Sequence, residues 1–471
     1  MCGERKTICA SASALSTNSK LLVLPEELAR ADPRIEGLRK HAIEALEAGI
    51  NSVQPSELFR KKVTLQGEVL RAGGVTRRLG DFRRIYVLGA GKAALAMTRE
   101  LVSILGDRVA GGEVITNVPQ ISRIGPVRIS PGAHPVPNSL SFAASRRLVD
   151  LASSGKEEDL FVVLISGGAS AMFELPLPPL TDNECATVYQ ELLTSGANIV
   201  ETNSVRKHLS MVKGGKLQAA IHPSSSLTLA ISDVLDDLPD VIASGPTVPD
   251  ESCFRDALEV VHRFSLQEHL PEAALNILRK GAQGLIEETP KKGDPCFRSS
   301  DFVLLGSSYD ACIAAHRFLE GQGYRSVMLT DRVRGEAREV GKVLSGLART
   351  PADRRAFDAL VLGGETTVTV KGKGVGGRNQ ELCLSASLEL QGARPCVVAS
   401  IGTDGIDGQT DAAGAIVDPF TLSRARDKGL DPLKLLNNND SGTFFKKLGE
   451  RVVTGPTGTN VSDLILVIMS R

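Results

Sequence analysis

The strongest constraint on this chain is a local pattern that recurs along it: a short apolar run, a glycine-bearing turn, then a helix. Ile85–Leu88 runs into Gly89-Ala90-Gly91-Lys92, and a helix is expected from Lys92 to Leu105. Similar strand-length runs occur at Val114–Thr116, Phe161–Ile165 and Leu227–Ile231, each closing on Gly, Ser, Asp or Asn. A further series follows at Phe302–Leu305, Ser326–Leu329, Ala359–Leu362, Cys396–Ser400 and Leu464–Met469, and a helix is expected over Ile35–Ile50. Strands alternating with helices at this spacing predict an α/β fold with largely parallel, Rossmann-like sheets covered on both faces. Ligands of such sheets bind outside the carboxyl ends of the strands, so the turns are where function should lie.

A chain of 471 residues exceeds one ordinary core, and two α/β domains are expected. Between about Asp250 and Pro295 the sequence turns helical and charged, and the loop Glu287–Pro295 is rich in Pro and Lys. The boundary is placed there, giving domains 35–295 and 296–471; the start through Lys20 is rich in Ser, Thr and Ala and lacks the apolar centre of a secretory signal, so 1–34 is read as a disordered extension, with a transit peptide the alternative that Glu4 disfavours. The 55 basic side chains balance 55 acidic ones, so no broad field favours nucleic acid or an anionic membrane. With no Trp and only 4 Tyr, the chain is also poor in platforms for stacking bases. The 8 Cys are scattered without metal-site spacing, and no apolar run reaches the roughly 18 residues of a membrane span. A cytoplasmic enzyme acting on a small molecule is the expectation; the sequence leaves its oligomeric state open.

The turns themselves carry chemistry. Gly89 and Gly91 let the backbone approach a ligand, and the helix start favours an anion, although the same turn also serves ordinary packing. It is not a phosphate loop of the Walker type, since Ala93 follows Lys92 where Ser or Thr would hold the metal. It fits a dinucleotide fingerprint as Gly89-x-Gly91-x-x-Ala94, but the next strand ends at Asn117 where an acidic ribose ligand is expected. Ser166-Gly167-Gly168-Ala169-Ser170 is a second such turn, and Met172 stands where a nucleophile elbow needs Gly. Lys213-Gly214-Gly215-Lys216 closes a basic helix, either as solvated charge at a helix end or as a phosphate cradle. Acidic turns follow three other strands, at Asp233, at Glu365 and across Asp404 to Asp407, too short for a dedicated calcium loop and better suited to magnesium shared with substrate phosphates. The glycine run Gly372–Gly377 places Arg378 at a helix start, where it opposes the helix dipole yet can clamp an oxyanion.

Four segments together resemble the glycerate kinase family whose C-terminal part is called MOFRL: Gly363–Val370 with Gly376–Glu381, Gly402–Gly408 with Thr410–Gly414, Val205–Ser210 with Lys213–Gly215, and Ile242–Thr247. The resemblance implies two α/β domains with the active site in the cleft between them. It also implies an ATP-dependent kinase making 2-phosphoglycerate from D-glycerate, with the family's paired lysine and arginine at Lys92 and Arg378. On this reading Lys92 and Arg378 stabilise the transferring phosphoryl group and the glycerate carboxylate. Gly89, Gly91, Ser166, Gly167, Gly168, Ser170 and Lys213–Lys216 hold nucleotide phosphates. Asp233 and Asp404 bind Mg²⁺ or take the hydroxyl proton, with Glu365 and Asp407 as further substrate or metal ligands. Three departures from the family bear on specificity: Ala169 and Asp236 where it has Gly, and Asn138 where it has Asp. The rival readings are an NAD(P)H-dependent hydroxypyruvate reductase, which uses one turn and leaves the others idle, and a sensor of sugar acids or nucleotides without turnover.

Overall fold

The computed structural model of the protein describes residues 33–470; most of the extension expected at 1–34 lies outside them. Among these residues the strands form three sheets. The first large sheet has seven strands in the order Ser300–Gly306, Ser225–Ile231, Asp159–Ile165, Arg84–Ala90, Val109–Thr116, Val127–Pro131 and Ser122–Ile124, parallel except for the last pair. Its central strands are buried along their whole length, as in Asp159–Ile165, because helices cover both faces. A small antiparallel meander, Val63–Arg78, flanks it.

The second large sheet has six strands in the order Ser326–Val333, Ala359–Gly364, Asp463–Met469, Cys396–Gly402, Gly414–Val417 and Arg451–Val452. Here the expected parallel order extends only to the first pair, and the other pairs are antiparallel. The last strand inserts between Ala359–Gly364 and Cys396–Gly402 and runs against both, setting Asp463 opposite Gly364 and Gly402. A strand beginning where its neighbours end brings its first residue to their carboxyl edge. Local periodicity carries no information about that insertion.

Two assignments to domains are corrected. The strand expected to open the second series, Ser300–Gly306, pairs in parallel with Ser225–Ile231 and closes the first sheet. The first helix, Pro33–Ser52, packs instead on the second sheet, where Leu38, Ala42, Leu46 and Ile50 meet Val397, Leu464 and Leu466. Directly after it, Val53, Leu58 and Phe59 enter the core of the first sheet. The chain therefore passes between the domains twice, near residue 53 and again near residue 307. The two crossings touch: Ser52 Oγ donates to the carbonyl of Asp310 at 3.2 Å. The segment read as helical and charged does form helices, Phe254–Arg263 and Glu272–Ala282, which pack with Asp182–Thr194 and Ile199–Leu209 into a helical lobe of the first domain.

Candidate active site

The carboxyl edges of the two large sheets face one another across a cavity of about 730 Å³. Its walls include Lys92, His134, Gly168 and Asp233 from the first domain and Glu365, Arg378, Asp404 and Ser462 from the second. Five charged residues read from separate turns thus share one space: Lys92, Asp233, Glu365 and Asp404 follow the ends of strands, and Arg378 opens a helix beside them.

Lys92 leaves the strand Arg84–Ala90 through Gly91, whose φ is 126° and whose missing side chain admits Ser166: a Cβ there would lie 2.4 Å from the Ser166 carbonyl oxygen. The Lys92 N–H donates to the carbonyl of Gly167 at 2.9 Å, lacing the two glycine turns together. Its ammonium crosses the cavity to Asp404 Oδ2 at 2.9 Å. Gly167 is required for a second close approach, since a Cβ would fall 2.0 Å from Asp233 Oδ2. Asp233 follows Ser225–Ile231 and accepts from Asn460 Nδ2 at 2.9 Å. Burial pushes its carboxyl up to about 6, against the pull of Lys92.

Arg378 begins the helix Arg378–Leu390, a position that helix electrostatics disfavour for a cation. Three contacts hold it: Nε and Nη2 donate to the two oxygens of Asp463 at 2.7 and 2.9 Å, and Nη1 lies 2.8 Å from Glu365 Oε1. The protein around the head of Glu365 pushes that carboxyl up to about 7 although Arg378 pulls it down. The imidazole of His134 is driven the other way, to about 4, by loss of water and by the charges of Lys92 and Arg206, so it faces the cavity neutral at pH 7.

The remaining residues read from the sequence divide. Gly168 lines the cavity. Ser166 is buried behind it, its hydroxyl accepting from the N–H of Ala93 at 3.0 Å, and Ser170 shares a hydrogen bond with Ser244 at 3.0 Å. Gly89 lies within its strand. Asp407, read as a substrate or metal ligand, is corrected: it is buried and accepts from the backbone N–H and side-chain amide of both Asn379 and Gln380, fixing the start of the Arg378 helix. Lys213 and Lys216, read as phosphate ligands, are corrected as well. Lys213 is wholly buried, donating to the carbonyl of Phe173 at 2.8 Å and lying 3.4 Å from Glu174. Lys216 donates to the carbonyls of Lys207 and Ser210. Gly214 and Gly215 both have positive φ and turn the chain between the two lysines. A run of basic residues looks the same in sequence whether it faces solvent, a ligand or the core.

Sequence reasoning missed Asn460, Ser462 and Asp463, which reach the site from the inserted last strand; the signal available was a polar run, Asn460-Val461-Ser462-Asp463, directly before an apolar strand. It also missed His134. Two of the departures are accommodated by structure. Asn138 caps the helix Ser139–Ser153 by accepting from the Ser141 N–H, which an Asp would do equally. Asp236 occupies the left-handed region at φ 74° and pairs across the cleft with Arg332 at 3.0 Å and Arg334 at 2.5 Å.

Comparison with known proteins agrees with this architecture. Residues 41–279 match a domain of unknown function, DUF4147, and residues 358–463 match the MOFRL family. A D-glycerate 2-kinase from Thermotoga maritima is 38% identical over 92% of this chain and 98% of its own. The chain belongs to the glycerate 2-kinase family. The crystal structure of a glycerate kinase from the same organism superposes with a TM-score of 0.79 at 36% identity, covering 92% of this chain and all of that one, 100%. An Agrobacterium vitis protein provisionally named hydroxypyruvate reductase is 40% identical over 82% of this chain and 99% of its own. The glycerate 2-kinase family therefore contains a relative named for a different reaction, and geometry has to discriminate. Among the described residues no helix is long and apolar enough to cross a membrane.

Proposed function

We propose that the protein is a glycerate 2-kinase that transfers the terminal phosphoryl group of ATP to the 2-hydroxyl of D-glycerate. The observation that carries this reading is the placement of Lys92, Arg378, Asp233, Asp404 and Glu365 around one cavity. Phosphoryl transfer asks a protein mainly to position the reactants and to offset charge, and alternating cations and carboxylates at strand ends supply both. Asp233, held by Asn460 and lifted by burial toward neutrality, accepts the proton of the attacking hydroxyl. Lys92 releases Asp404 to meet the transferring group, and Arg378, locked by Asp463 through Nε and Nη2, presents Nη1 from the opposite wall in exchange for Glu365. Gly168 lets a phosphate approach the backbone of the first domain. With Lys213 and Lys216 occupied inside the fold, the nucleotide enters through an adjoining cavity of about 570 Å³, which shares Glu365, Arg378 and Gly408 with the first and is lined by Val368, Val370 and Gly374.

Asp233 and Asp404 both line the cavity. Mg²⁺ takes one or two carboxylates and draws its other ligands from phosphates and water. Asp404 is the residue that would hold it while Asp233 serves the proton, and when bound it would neutralise phosphate charge.

Reduction of hydroxypyruvate uses neither the acidic turns nor the Lys92–Arg378 pairing, and the strand beside the glycine turn leads to Asn117 rather than an acidic ribose ligand. The test is direct. The protein is incubated with D-glycerate, ATP and Mg²⁺, and separately with hydroxypyruvate and NADH, with the phosphorylated carbon read by NMR. ADP and 2-phosphoglycerate are expected; NADH oxidation without ADP formation would reverse the assignment.

A further inference from the structure

His134 differs from the histidines packed inside the fold. The rings of His41, His208 and His316 engage Tyr324, Ser204 with Glu288, and Ser326. His134 lines the cavity between the domains, and among the described residues neither of its ring nitrogens has a hydrogen-bond partner. The turn beside it fixes its place. A Cβ built on Gly168 would lie 3.3 Å from His134 Cδ2 and 3.4 Å from Lys92 Cγ, so the ring and the lysine stem flank the same glycine. Asp233 Oδ2 approaches the preceding Gly167 still more closely, 2.0 Å from where a Cβ would stand. Consecutive Cα atoms are about 3.8 Å apart, so the imidazole and the proposed proton acceptor meet one two-residue turn, leaving a gap on the scale of a three-carbon acid.

Sheet order distributes charge along the cavity. The strands Ser225–Ile231, Asp159–Ile165, Arg84–Ala90, Val109–Thr116 and Val127–Pro131 are successive neighbours, and they lead into Asp233, Gly168, Lys92, Asn117 and His134. The ionic groups collect over the first three strands: Lys92 reaches Asp404, and Asp233 feels Lys92, Asp404 and Arg378. Beyond Lys92 the lining residues are Asn117, Val118, Pro119, Gly132, Ala133 and His134. None of these is acidic, and the one basic ring among them is kept neutral at pH 7 by loss of water and by the charges of Lys92 and Arg206. One end of the cavity is therefore ionic, and the other is polar without charge.

We infer that His134 binds the 3-hydroxyl of the acid substrate and so selects D-glycerate over its 3-deoxy analogue. Glycerate carries three polar groups. Its carboxylate requires a cation, which Lys92 and Arg378 supply, and its 2-hydroxyl belongs with Asp233. The 3-hydroxyl remains for the uncharged end. A neutral imidazole offers one donor nitrogen and one acceptor nitrogen, and a hydroxyl pairs with either, whereas a carboxylate gains no counter-charge there. His134 is thus a specificity-determining residue. The inference rests on the reading of the cavity as the glycerate site, and is tested by binding so that it does not depend on turnover.

D-glycerate, D-lactate, which lacks only the 3-hydroxyl, and a non-hydrolysable ATP analogue are titrated calorimetrically into the full-length protein and into H134F and H134Q. The parent is expected to bind D-glycerate about tenfold more tightly than D-lactate, the scale of one hydrogen bond. H134F should reduce that preference to within about twofold by weakening D-glycerate alone. H134Q, whose amide keeps a donor and an acceptor, should recover part of it, and this partial loss carries the same test should H134F fold poorly. Affinity for the nucleotide analogue should not change in either variant. A preference retained in both variants, an equal loss for the two acids, a loss confined to the nucleotide analogue, or a parent that does not distinguish the acids would each overturn the inference. If the variants lose the preference but the parent forms no ADP, the kinase reading fails and the hydroxyl site stands. ADP formation by the parent, with the preference intact in both variants, keeps the kinase and removes the site.

Discussion

Lys213→Met separates a structural lysine from a phosphate ligand. Lys213 is 0% exposed, donates to the carbonyl of Phe173 at 2.8 Å and sits 3.4 Å from Glu174, itself 1% exposed. Burial pushes the ammonium below its ordinary range, and Glu174 counters that push. Met replaces the ammonium with a side chain of similar length and leaves Glu174 buried without its cation. Breaking one half of a buried pair typically costs about 3–5 kcal/mol. Here Glu174 keeps the Tyr189 hydroxyl and the Leu175 N–H, at 2.8 Å, as donors, which puts the expected loss at the lower end, about 3 kcal/mol. For a domain of this size that corresponds to roughly 6–12 °C in melting temperature. The assay is urea unfolding of the parent, K213M and K213M/E174Q, with KM for ATP measured on each below its transition. The double variant should recover most of the loss, since a neutral amide no longer needs a counter-charge, and KM for ATP should stay within about twofold on the reading that the site is remote. Unaltered stability together with a tenfold rise in KM for ATP would refute the structural reading and restore Lys213 to the nucleotide.

Other expectations are shorter to state. Arg378→Ala should lower kcat by roughly 10²- to 10³-fold, as loss of one preorganised charge clamp generally does, and near-normal turnover would remove Arg378 from the mechanism. Asp233 must be ionised to take a proton, and its carboxyl is held at about 6, so kcat/KM should fall toward tenfold per pH unit below that value and level off above it. Glu365, held at about 7, titrates nearby, so the apparent midpoint belongs to the coupled pair; a profile that rises as pH drops through 6 would exclude Asp233 as the base. Asp236→Gly removes left-handed strain and two exposed ion pairs to Arg332 and Arg334 together, and these offset to within about 1 kcal/mol. Denaturant unfolding should show that near-equality, while the dependence of KM on added salt should weaken.

Most of the charged cluster was legible because five of its members sit at the ends of strands that local pattern already reveals: Lys92, Asp233, Glu365, Asp404 and, through its glycine run, Arg378. Pattern could not say which strand lies beside which. Asp463 escaped for that reason, since it reaches the site only because the last strand threads antiparallel between two earlier ones. Ser300–Gly306 was assigned to the wrong sheet for the same reason: a Pro- and Lys-rich stretch before it resembles a linker, yet its pairing partner lies some seventy residues back. Lys213, Lys216 and Asp407 show a different limit. Charge and spacing give a residue type, while the direction of its side chain depends on packing supplied by distant segments such as Phe173 and Asn379.

The double passage of the chain between the domains determines how the cleft can move. A single tether would permit rotation in any direction, but here two backbone segments lie side by side, joined where Ser52 meets Asp310, and the first is also pinned to the second domain where Thr459 Oγ1 donates to the carbonyl of Val53 at 2.7 Å. Paired pivots resist shear and torsion while leaving one soft bending mode, so the jaws should part and shut along a fixed arc. Lys92 and Asp404, or Asp233 and Asn460, would then regain the same partners after each cycle instead of sampling alternative alignments.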